Sequence, residues 1–210
     1  MEPSPLKFSD NEILEIGRET FLLEAQTLTA VGQSLDVSFV KAVRLLFQCQ
    51  GRVLTTGLGK SGNVARKLAA TLTSTGTPSN FIHPVEAAHG DLGVVKADDI
   101  LISHSRSGNN SEVVDLISSC RRFGMKSIAI TAGAESEVSL ASDIVLHTPV
   151  EKEACPLNLT PTSSSTAAMA MGDALVVALI KMRGFRSEDF AEFHPSGALG
   201  RRLQMKVSDL

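Results

Sequence analysis

From residue 52 onward, short apolar runs alternate with segments of helical periodicity, and this alternation constrains the fold more than any other feature of the chain. It is the pattern of βαβ units, in which each strand must reach its parallel neighbour through a crossover long enough to hold a helix. The predicted strands are Arg52–Thr56, Ser79–His83, Ile100–His104, Ser127–Thr131 and Asp143–His147. Between them lie Val64, Leu68 and Leu72 at four-residue spacing, then Val113, Leu116, Ile117 and Cys120 running to Gly124, then a short segment over 136–141. After the last strand, an alanine- and methionine-rich stretch from Thr162 to Met182 ends at Gly184 and predicts a long, mostly buried helix. Two helices precede the sheet. The first opens on the capping box Ser9-Asp10-Asn11-Glu12, with Ile13, Ile16, Leu23, Leu28 and Val31 following. The second is capped by Asp36 or Ser38, carries Val40, Val43, Leu46 and Phe47 on one face, and ends at Gly51. The expected architecture is one three-layer α/β domain.

Composition narrows the function. Twenty basic against 23 acidic residues leave a net charge of −3, so there is no excess to neutralise a nucleic-acid backbone. Trp and Tyr are absent, which removes the best base-stacking side chains. No apolar run is expected to reach the roughly 18 residues of a membrane span, and the N-terminus lacks the pattern of an export signal. Cys49, Cys120 and Cys155 are widely spaced and odd in number, which suits a reducing cytoplasm better than a disulfide framework.

In a parallel sheet ligands bind at the carboxyl edge, and three loops there are rich in chemistry. Gly57-Leu58-Gly59-Lys60-Ser61-Gly62 has dinucleotide-like glycine spacing, yet Ile82-His83-Pro84 stands where an acidic ribose ligand belongs. Leu54 occupies the first glycine position of a P-loop, so a nucleoside triphosphate is disfavoured. What remains is a helix N-terminus with free N–H groups, a hydroxyl and a lysine, against the plainer alternative of a tight turn with a solvated lysine. Ser105-Arg106-Ser107-Gly108-Asn109-Asn110-Ser111-Glu112 crowds donors at a second helix start, where serine-rich capping is the ordinary reading. Together the two loops suit a phosphate monoester. A third cluster, residues 160–166, follows the carboxylates of Glu151 and Glu153. His89 and His194 are candidate acid–base groups, and His104, within a strand, reads as a satisfied interior or pocket-wall histidine. His83 and His89 are six residues apart but lack a metal motif, so no metal is expected.

Many segments in order, among them residues 57–62, Ser74-Thr75-Gly76-Thr77-Pro78, residues 86–93, Lys152-Glu153-Ala154-Cys155-Pro156-Leu157, residues 161–164, 171–175 and 194–201, resemble the sugar isomerase (SIS) domain of D-arabinose 5-phosphate isomerases. The resemblance covers nearly the whole chain. It implies a five-stranded parallel, flavodoxin-like sheet between helices and a single domain over 1–205, with 206–210 resembling the junction to a cystathionine-β-synthase-type pair. It implies reversible conversion of D-ribulose 5-phosphate to D-arabinose 5-phosphate for 3-deoxy-D-manno-octulosonate and lipopolysaccharide synthesis, without a cofactor. Lys60, Glu112, Glu153 and His194 fall on the family's catalytic positions. Glu153 is expected to shuttle the carbon-bound proton, and His194 to act on the sugar oxygens. Lys60 is expected to stabilise charge, and Glu112 to position substrate or Lys60. Gly59, Ser61, His89, Ser105, Ser107 and Thr162 are the expected substrate-binding residues. In related domains pockets form where subunits meet, which implies a homodimer or tetramer with shared sites. Two alternatives stand beside this one: a phosphosugar sensor without turnover, and an isomerase of another sugar phosphate. The chain departs from the family's S-x-S-G-E-S-S-E run at Asn109 and Asn110, with Arg106 in its variable place, and Ser196 replaces a glycine.

Overall fold

A computed structural model describes residues 8–195. Helices α1 (Asp10–Gln33) and α2 (Val37–Phe47) precede a sheet of β1 (Val53–Gly57), β2 (Ser79–Phe81), β3 (Ile100–His104), β4 (Lys126–Thr131) and β5 (Ile144–His147). The connections hold α3 (Gly59–Ser74), α4 (Pro84–Ala88), a 3-10 turn at Asp91–Val94, α5 (Ser111–Arg122) and α6 (Glu137–Ala141). Helices α7 (Ser163–Arg183) and α8 (Ser187–Phe193) complete the described chain. All pairings are parallel, in the order β2-β1-β3-β4-β5. Residues 196–201 and 206–210, on which part of the resemblance and the expected junction rest, lie outside the described residues.

Both faces of the sheet are covered, so β1 and β3 are buried at every position. Side-chain alternation sorts the two cores. Val53, Ile100, Ile102, Ile128 and Ile130 pack with α2, α3 and α7, while Leu54, Leu101 and Ala129 pack with α5 and its neighbours. The last strand residue on the first face is His104, two positions beyond Ile102.

Several expectations shift for identifiable reasons. Helix α2 stops at Phe47, with Gln48 as C-cap, and not at Gly51. Gly51 serves the following turn, where an added Cβ would lie 2.6 Å from both the Asp98 carbonyl and the Asp99 carboxylate. Strand β2 ends two residues early because Pro84, with its fixed φ and no N–H, starts α4. The capping box of α1 forms, but Ile13 and Ile16 are exposed and Val31 is the buried residue of that helix. Helix α7 overturns the expectation that no segment reaches spanning length. It is 21 residues long and holds an 18-residue window of mean hydropathy 1.5, and it packs in this fold against α1, α2 and α3. Gly184 ends it in the left-handed conformation, as predicted.

Candidate functional site

The loop from β1 to α3 is shaped by backbone proximity. A Cβ on Gly57 would meet the His104 carbonyl at 2.8 Å, and one on Gly62 would meet the Gly57 carbonyl at 2.7 Å, so the first and third glycines let helix and strand touch. Gly59 has φ +53, which the turn into α3 requires. Leu58, the N-cap residue, makes no side-chain capping bond. The first N–H groups of a 16-residue helix are thereby left to a ligand, with the positive end of the helix dipole behind them. Lys60 and Ser61 stand in that first turn.

These two residues line an open cleft between the starts of α3 and α7, above the carboxyl ends of β3 and β4. His104, Ser105 and Arg106 enter it from the end of β3, and Ser164 and Ser165 from the first turn of α7. Three of the expected site residues therefore converge: Lys60, Ser61 and Ser105. Gly59 adjoins them at the exposed rim. Ser107 is exposed, its hydroxyl accepting from the Asn109 N–H at 3.4 Å.

The chain's departures have structural consequences here. The Ser105 hydroxyl donates to Asn110 Oδ1 at 2.7 Å and accepts from the Gly108 N–H at 3.0 Å, so Asn110 draws the expected ligand hydroxyl into the loop itself. Asn110, although the N-cap residue of α5, makes no side-chain capping bond. Arg106 turns across the cleft, its Nε 2.9 Å from Glu153 Oε1.

Glu153 is buried, its side chain fully removed from solvent. Its Oε2 accepts from the N–H groups of Thr162 (2.8 Å) and Ser164 (3.0 Å) and from the Thr162 hydroxyl (3.1 Å). Its Oε1 takes the Ser164 hydroxyl as well as Arg106. Burial pushes this carboxyl up, but bonds from the Ser164 hydroxyl and N–H and from the Thr162 N–H outweigh it and hold the group below its ordinary value. Glu153 thus caps α7, and Thr162 spends its hydroxyl on Glu153 and on the Ala154 N–H (2.9 Å). In the same loop the Cys155 thiol is lowered to about 7, chiefly by the backbone N–H groups of Thr160 and Leu159.

The remaining expected residues stand outside the cleft. Glu112, in the first turn of α5, is exposed and takes only a 3.3 Å bond from the Ser111 hydroxyl. His89 is exposed at the C-cap of α4. His194 follows α8, its Nδ1 2.9 Å from the Phe190 carbonyl and its ring stacked on Phe190 at 3.8 Å. The neighbouring Phe193 and Phe185 pack beside Gly76, past the far end of α3. His194 is not among the residues that line the cleft with Lys60. Among the described residues, no three His, Cys, Asp or Glu side chains are grouped to hold a metal ion.

His104 lines the cleft, as the pocket-wall reading of it expects, whereas Arg106, Ser164 and Ser165 are cleft residues that the sequence reading does not select. The period-2 alternation of β3 carried the signal for His104. Arg106 had none, because its direction depends on a carboxylate 47 residues away.

Comparison with known proteins agrees with the fold. The SIS domain model matches residues 46–178, from the end of α2 through most of α7. Arabinose 5-phosphate isomerase KdsD of Shigella flexneri is 50% identical over 196 residues, 93% of this chain, and that of Pseudomonas aeruginosa is 46% identical over 199 residues, 95% of this chain. The chain spans about 60% of the length of these relatives. An Escherichia coli CFT073 structure, c3406 in complex with A5P, superposes with a TM-score of 0.86 at 37% identity, covering 90% of this chain and all of that one. A parallel sheet with its helix-start cleft, a domain match over more than half the residues and half-identical relatives lead to one conclusion: the chain belongs to the SIS domain family.

Proposed function

We propose that the chain is a D-arabinose 5-phosphate isomerase, interconverting that sugar with D-ribulose 5-phosphate. The observation that carries the reading is the convergence of Lys60 and Ser61, at the uncapped start of α3, with Ser105 and the start of α7 in one cleft. The phosphate is bound by the free N–H groups of α3, with Lys60 offsetting its charge. The named activity of the half-identical relatives, and the A5P bound to c3406, support this choice of substrate.

Isomerisation removes the proton on C2 of the open-chain aldose while the C1 oxygen gains one, giving a cis-enediol or enediolate. Return of a proton to C1 and loss of the O2 proton yield the ketose. A base, a charge stabiliser and an acid–base group at the oxygens are required. Lys60 serves the developing negative charge. Glu153, with both oxygens occupied and its basicity lowered, fits a positioning part: it fixes Arg106 and the first turn of α7. Of the two carboxylates, Glu112 has the freer oxygens and suits the proton-carrying role better than Glu153. His194 acts at the sugar oxygens. Glu112 and His194 reach the cleft from a second copy of the chain, which the exposed apolar residues of α1, Ile13, Leu14, Ile16, Phe21 and Leu22, also favour.

The test is incubation with D-ribulose 5-phosphate in deuterated water. Arabinose 5-phosphate, labelled beside the carbonyl carbon, is expected. Binding with neither product nor label would replace the enzyme with a phosphosugar sensor.

A further inference from the structure

We infer that His104 is a specificity-determining residue, its imidazole at the floor of the cleft hydrogen bonding a hydroxyl of the bound sugar phosphate; the inference rests on the function proposed above. Three observations meet at this side chain. The strand alternation turns it to the face shared by α3 and α7, at the last position of β3, where it lines the cleft with Lys60, Ser61 and Ser164. It is 1% exposed. Neither of its ring nitrogens has a hydrogen-bond partner among the described residues.

A buried imidazole with both nitrogens unpaired within the protein is costly and gains from a ligand that supplies a partner. Burial lowers its pKa to about 4, so the ring is neutral near pH 7, with one N–H donor and one bare acceptor. That chemistry selects what reaches the floor. A phosphate dianion gains little from a neutral ring in an apolar recess flanked by Val64, Ile130 and Ala168, and is better served by exposed Lys60 and the α3 N-terminus. A hydroxyl both donates and accepts, and so meets either tautomer. The cleft therefore fits a ligand charged at one end and hydroxylated at the other, held with the charge outward.

The experiment titrates D-arabinitol 5-phosphate, which keeps hydroxyls and phosphate but has no carbonyl to isomerise, and inorganic phosphate separately into wild type, His104→Ile and His104→Asn. Loss of one hydrogen bond predicts roughly fivefold weaker arabinitol 5-phosphate binding in His104→Ile. Phosphate affinity should stay within about twofold, and His104→Asn, which keeps a donor and an acceptor, should recover part of the loss. Equal affinity of wild type and His104→Ile for arabinitol 5-phosphate overturns the inference alone, and so does parallel weakening of both ligands. Wild type binding arabinitol 5-phosphate no more tightly than phosphate overturns the sugar-phosphate reading itself. In wild type, the His104 ring nitrogen resonances should move on adding arabinitol 5-phosphate and stay in place with inorganic phosphate. A ring that does not respond to arabinitol 5-phosphate also overturns the inference, whether or not the variants fold.

Discussion

Glu153 and His104 both have a lowered pKa, for different reasons: at Glu153 hydrogen bonds outweigh burial, and at His104 burial itself lowers it. Glu153 has its folded pKa below 4.5, so its contribution to stability is complete above that value and disappears as pH falls through the folded pKa. His104, lowered from 6.5 to about 4, favours the folded state fully above 6.5, and that advantage declines as pH drops toward 4 because the unfolded chain takes up the proton first. Thermal melts between pH 7 and pH 3 should therefore fall in wild type. His104→Ile should flatten the slope between 6.5 and 4, and Glu153→Gln the slope below 4.5; unchanged slopes would contradict these assignments. Turnover should fall at least about a hundredfold in both Glu112→Gln and His194→Ala, the range expected for acid–base groups. Steady-state assays with circular dichroism to confirm folding would check this.

The β1–α3 unit is the element on which the anion site depends, and its tolerances are set by main-chain distances. Because a Cβ on Gly57 would sit 2.8 Å from the His104 carbonyl, Gly57→Ala must push β1, β3 or α3 apart. A loss of about 1–3 kcal/mol is expected from overpacking against backbone. Denaturant unfolding measures it, and phosphate affinity should drop with it, since the N–H groups of α3 move as a set. A Gly57→Ala protein as stable as wild type would show that the contact can relax. Helix α7 depends on its start in another way. Its N–H groups are satisfied by a carboxylate from the preceding loop, so the same carboxylate that fixes Arg106 also fixes where Ser164 and Ser165 face the cleft.

The absence of His194 from the cleft that Lys60 lines becomes a prediction about subunits. If each cleft takes His194 from a second copy, Lys60→Ala and His194→Ala are both inactive alone but complement each other when mixed. Mixing equal amounts with reversible dissociation should restore about a quarter of wild-type activity, since half the dimers are mixed and each holds one intact site. No recovery, with subunit exchange confirmed by mass spectrometry of labelled chains, would place the whole site within one chain.

Local sequence carried the strands, the anion loop and the long last helix, because each rests on short-range physics: period-2 and period-3.6 burial, a capping box, a glycine where φ is positive. Lys60, Ser61 and Ser105 could be read for the same reason, as they sit at strand–helix junctions whose position follows from the alternation. Other features needed the folded chain. That Glu153 is tied up by Ser164, Thr162 and Arg106, that the Ser105 hydroxyl turns inward to Asn110, and that His194 stacks on Phe190 outside the cleft all depend on contacts through space. A side chain's type states which bonds it can make; which of them it makes, and whether any is left for a ligand, is settled only when packing brings particular donors and acceptors within reach.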